Sequence, residues 1–114
     1  MAKRVILELG AGTALHGGDY TKAAVRAVHD AIHHSSLYFL RSLKIAPSAM
    51  RVDVTIGVQR PDAVNADAVK AALPHGKVEV KVVKGGLDLP DEEGRDITVI
   101  ASAAVEVRVD LPKA

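Results

Sequence analysis

Cysteine is absent from this 114-residue chain, which removes disulfides, a thiolate nucleophile and any cysteine-based zinc site. Tryptophan is absent as well, and the aromatic residues are Tyr20, Tyr38 and Phe39 alone. Stacking platforms for nucleic-acid bases are therefore nearly missing. Neither sign of charge dominates: 15 Lys and Arg against 14 Asp and Glu leave a formal charge of +1, and the signs alternate along the chain. A nucleic-acid binder shows a clustered basic stripe instead, so no nucleic-acid partner is expected. Long apolar runs are also lacking. The stretch Val5 to Leu9 meets Gly10, too short for a signal-peptide core or a membrane span. A cytoplasmic protein with no membrane partner is expected.

What the chain does have is apolar residues, 48% of the total and mostly Ala and Val, enough for one globular domain over residues 1–114. Val5 to Leu9 reads as a strand stopped at Gly10, followed by a glycine-rich loop from Gly10 to Gly18. Asp19 is placed as a helix N-cap. Tyr20, Ala24, Ala27, Val28, Ala31 and Ser35 then fall at helical spacing, to about His34. Leu37, Phe39, Leu40 and Leu43 suggest a further turn or short helix ended by Pro47. Val52, Val54, Ile56 and Val58 alternate with polar residues as a half-buried strand. Asn65 caps a helix from Ala66 to Leu73, and Val78, Val80 and Val82 form a third strand. Gly85 to Gly94 reads as an exposed loop. Ile97, Val99, Ala101, Ala103, Val105, Val107 and Val109 line one face of a long last strand.

The expected fold is α+β, order βαβαββ: a four-stranded sheet with two helices packed on one face. The second face should carry Glu8, Asp53, Thr55, Gln59, Glu79, Lys81, Thr98, Ser102, Glu106 and Arg108. It is either washed by solvent or turned toward the like faces of other subunits, where opposite charges pair. Ser102-Ala103-Ala104 is small for a long exposed strand, which leaves room for another backbone or a ligand.

The most distinctive words lie in Gly10-Ala11-Gly12-Thr13-Ala14-Leu15-His16-Gly17-Gly18-Asp19-Tyr20-Thr21-Lys22. A glycine-rich segment closing on Asp-Tyr-Thr-Lys and opening an alanine-rich helix resembles the first repeat of the ring-opening amidohydrolases, cyanuric acid hydrolase and barbiturase. It looks closer still to a family of small bacterial proteins of about this length with no assigned function. That second likeness runs through essentially the whole chain. The amidohydrolase resemblance covers the first half and implies an architecture: three fused α+β repeats about a pseudo-threefold axis, sheets inward. A free single unit would then form a homotrimer. The chemistry does not carry over, because the family's lysine position falls near Gly10 and its serine position, aligned through Arg51 to Ile56, falls on Gly57.

Among candidate site residues, the Gly10 to Gly18 loop before a helix either cradles an anion or is a tight turn. It matches neither a P-loop nor a dinucleotide fingerprint, and Asp19 would compete with an anion for the same donors. Gly12, Thr13, His16, Gly17 and Lys22 are the candidate ligand contacts here, with Ser102 on the sheet. His16 is the candidate for acid–base work, since histidine titrates near neutral pH; no other catalytic residue is assigned. His29 and His33, four apart on a helix, either share a metal or are solvated beside Lys22 and Arg26. No metal and no cofactor is assigned. Two functions stay open: a small-molecule-binding or enzymatic homotrimer handling a small polar or anionic metabolite, and a non-enzymatic structural or accessory oligomer.

Overall fold

The computed structural model describes residues 3–33, 49–73 and 76–109. The elements are β1 (Lys3–Ala14), α1 (Tyr20–His33), β2 (Met50–Val58), α2 (Ala66–Ala71), β3 (Lys77–Lys84), β4 (Leu87–Pro90) and β5 (Ile97–Val109). A 3₁₀ turn at Pro61–Ala63 precedes α2. The class is α+β, as expected, but the sheet is mixed and has five strands rather than four. Its order is β1-β5-β2-β3, with β4 also beside β5. The β1–β5 and β2–β5 pairs are antiparallel and β2–β3 is parallel. A parallel neighbour cannot be reached by a tight hairpin; the turn and α2 supply the crossover. The segment around Leu37 to Leu43 lies outside the described residues.

The valine alternation becomes the core. Val52, Val54, Ile56 and Val58 of β2 and Val99 to Val109 of β5 bury every second side chain against the helices. Helix α1 covers β1 and β5 and touches α2, which lies over β3. Its buried stripe is Tyr20, Ala23, Ala24, Ala27, Val28 and Ala31. Caps end the helices as expected: the Lys22 amide donates to Asp19 Oδ1 at 3.0 Å, and Asn65 Oδ1 accepts from the Asp67 and Ala68 amides.

Three sequence expectations are corrected. First, β1 does not stop at Gly10 but runs on to Ala14, pairing Gly10 with Ala103 and Gly12 with Ala101. The two glycines are the seat of α1. A Cβ on Gly10 would lie 2.4 Å from the Ala31 amide nitrogen, and one on Gly12 would lie 2.3 Å from that of Ala27. The loop thereby shrinks to Leu15–Asp19. Second, part of the stretch read as an exposed loop is strand β4. The chain leaves β3 at Lys84 and steps sideways at Gly85-Gly86 past the end of β2, so that Leu87 pairs with Ile100 where β2 has finished. Gly86 has φ 63°, and a Cβ there would sit 2.2 Å from the Ile100 carbonyl oxygen. No side chain fits that step. Third, Glu8 shares the helix side of β1 with Ile6 and Gly12, whereas Leu7 and Leu9 stand on the open face.

On that open face the register sets charges in two rows. Arg4, Arg108, Arg51 and Lys77 stand opposite one another, and Glu106, Asp53 and Glu79 form the next row. Like charges across strands repel. Ion pairs to the neighbouring row offset this: Arg4–Glu106 at 3.3 Å, Arg108–Glu106 at 3.1 Å and Arg108–Asp53 at 3.3 Å.

Candidate functional site

The site is built where two loops meet at one end of the sheet: the β1–α1 turn and the β4–β5 hairpin. Because β1 and β5 are antiparallel neighbours, the exit from β1 must lie beside the entry to β5, and this brings His16 to Asp96. His16 Nδ1 and Asp96 Oδ2 are 2.9 Å apart. The other Asp96 oxygen accepts from the Gly17 and Ile97 amides, each at 2.8 Å. The Gly17 amide first, then His16 and the Ile97 amide, hold the Asp96 carboxyl below its ordinary range, since hydrogen bonds to the charged form favour it.

An ionised carboxylate only accepts hydrogen bonds, so the proton between the two side chains sits on His16 Nδ1. In its neutral form the ring then carries its lone pair on Nε2. The His16 side chain is 84% exposed, so that lone pair is open to solvent and to a ligand. Beside it lies an open depression of about 360 Å³ between Gly17 and Gly18 on one side and Pro90, Gly94, Arg95, Asp96 and Ile97 on the other. The Arg95 guanidinium stands on its rim, touching Glu93 through Nε at 3.4 Å. A histidine oriented by a carboxylate can accept a proton from an acidic N–H or O–H, and the Arg95 guanidinium that lines the depression can meet negative charge there.

Of the residues singled out in the sequence, His16 and Gly17 come together here. The others do not join them. Gly12 is buried under α1. Thr13 is the last residue but one of β1, and its carbonyl accepts from Arg26 Nη1 at 2.7 Å. Lys22 is exposed on α1. Ser102 is exposed at mid-sheet, in register with Ala11 and Gly57. Asp19 spends its carboxylate on the helix N-terminus, which leaves less there for an anion. Among the described residues no three metal-ligating side chains gather. Asp96 escaped the sequence reading; its signal was an acidic residue immediately before the long β5 alternation, at the strand end nearest the β1 exit.

A second polar contact braces the same end. Tyr20 donates its hydroxyl to Asp88 Oδ2 across the helix–sheet layer, and that bond, more than burial, pushes the phenol's pKa up.

Fold and site together define a small α+β unit in which the described helices cover one sheet face, with a carboxylate-oriented histidine at its loop end. The chain belongs to the Lin0512 family of conserved hypothetical proteins, whose profile matches residues 4–107. It is also similar to an FtsZ-like protein of unknown function from Nostoc punctiforme PCC 73102, known from a crystal structure. The two are 34% identical, with a TM-score of 0.84 over 96% of this chain and 98% of that one. A search of the curated proteins finds no match. Among the described residues, no helix is long and apolar enough to cross a membrane.

Proposed function

We propose that the protein is a cytoplasmic, small-molecule-binding or enzymatic homotrimer, related in fold to one repeat of cyanuric acid hydrolase but without that family's serine and lysine. It takes a small polar or anionic metabolite in the depression beside His16. The observation that carries this reading is the His16–Asp96 pair, 2.9 Å apart. Asp96 sets the tautomer, so His16 Nε2 accepts a proton or a hydrogen bond from the ligand, and Arg95 meets its negative group. By that resemblance the family's serine position falls on Gly57, so a covalent acyl step is not part of the proposal. The trimer rests on the resemblance of a single free unit to one of three fused repeats.

Thermal unfolding with a panel of small carboxylates, phosphate and cyclic ureides tests the reading, since a ligand bound only to the native state raises Tm. A positive shift lost in His16→Ala and weakened in Asp96→Asn supports the site. No shift with any ligand, or one unchanged in His16→Ala, sinks it. One observation favours the second reading, a structural or accessory oligomer: Gly10 and Gly12 are occupied by helix packing, so the distinctive glycines serve the fold rather than a ligand.

A further inference from the structure

The open sheet face is divided. One half carries the two charged rows. The other carries exposed aliphatic side chains, beginning with Leu7, which ends the acidic row opposite Glu106, then Leu9 on β1 and Leu87 and Leu89 on β4, at 45, 70, 52 and 59% exposure. Leu87 and Leu89 pair with Ile100 and Thr98, so they stand on the same side as Ser102 and Ala104. Between the two leucine groups runs a trough of small residues, Ala11, Ser102 and Gly57, aligned across three strands. Ridge and trough lie side by side on one surface.

We infer that this aliphatic half is the contact surface with a second copy of the chain; the inference rests on the homo-oligomer part of the proposed function. The occupant follows from shape, charge and area. A ring of three needs two different patches on each copy, one for each neighbour, and the leucine ridge of one copy fits the small-residue trough of the next. The bordering charges are a positive row beside a negative row, tied by ion pairs. A strongly acidic or strongly basic partner is repelled by one of them, while a copy of the same chain, with its formal charge of +1, is not. Five rows of side chains, from Glu106 to Thr98 across two to four strands, cover roughly 400–500 Å². Two such faces bury close to the ~1,000 Å² that separates specific contacts from incidental ones.

The alternative route, pairing along the β1 edge, is blocked at one end. Asp30 Oδ2 accepts from the Ala11 amide at 2.9 Å, and Arg26 donates to the Thr13 carbonyl. These side chains of α1 fill the outer hydrogen-bonding positions that an added strand would use.

The test combines mass and cross-linking. Light scattering on a sizing column should give an oligomer for the wild type and a single 12.0 kDa chain for the Leu9→Arg/Leu89→Arg variant, with unchanged far-UV dichroism. Because the chain has no cysteine, Leu9→Cys introduces the only thiol. A short bis-maleimide linker should join it into covalent dimers, while Asp67→Cys on α2 stays single. If the double variant fails to fold, the thiol experiment decides alone. A monomeric wild type overturns this inference and the proposed oligomer but leaves the His16 site standing. An oligomer indifferent to the leucine variants, with no cross-link through residue 9, overturns the surface alone.

Discussion

At the scale of single residues, Asp96 organises the loop end of the molecule. It gathers one side-chain donor and two amides, and its carboxyl is held below the ordinary 3.8 chiefly by the Gly17 amide. The folded value lies below the unfolded one, so the stabilisation is fully present above pH 3.8 and is lost as pH falls through the folded value. A carboxyl NMR titration should place the Asp96 midpoint under 3.8 in the wild type and nearer to it in His16→Ala. A wild-type midpoint at or above the ordinary value would refute the three-donor description. His16 was legible in the sequence as an accessible histidine between glycine-rich words. Its partner was not, because 80 positions separate them and no local spacing marks a contact made only by strand pairing.

Among the elements, the best-read ones are those whose own periodicity decides them. β2, β3 and β5 alternate, α1 carries a helical stripe and a cap, and α2 starts at its Asn65 cap, ending at Ala71 rather than Leu73. β1 and β4 were misjudged for different physical reasons. Glycine in β1 looks like a chain break when only backbone freedom is considered, yet Gly10 and Gly12 are there because the backbone of α1 lies against them. Strand β4 has four residues and ends in proline, too short for a visible alternation; it exists because β5 outruns β2 and leaves ladder positions open. The helix-seat interpretation predicts an asymmetry between glycines. Gly12→Ala forces α1 away from β1 and should cost about 3 kcal/mol, the upper part of the overpacking range, or roughly 10–20 °C in Tm. Gly17→Ala, with no other heavy atom within 4 Å of the new Cβ, carries only its left-handed backbone cost of about 1–2 kcal/mol. Equal losses in denaturant unfolding would show that Gly12 is not a packing position.

For the molecule as a whole, the helices settle one side of the sheet and leave the other unfinished. The helix side is closed mostly by valine and alanine, with the Tyr20–Asp88 hydrogen bond as a polar contact across the layer. The open side keeps its charges paired at one end and its leucines bare at the other. Leu89 belongs to β4, whose hairpin to β5 also forms one wall of the depression beside His16. Covering the leucines with a second copy would therefore also hold that wall, coupling assembly to the site. Such coupling makes stability depend on protein concentration: a hundredfold dilution removes up to about 2.7 kcal/mol of the stabilisation that association supplies. The wild type should melt at progressively lower temperature as it is diluted, and the Leu9→Arg/Leu89→Arg variant should melt at one temperature throughout. A ligand whose binding is strengthened by assembly should show the same concentration dependence in its Tm shift, and lose it in the variant. A wild-type melting temperature flat across dilution, with the ligand shift retained, would mean the site works in a lone chain and its wall needs no neighbour.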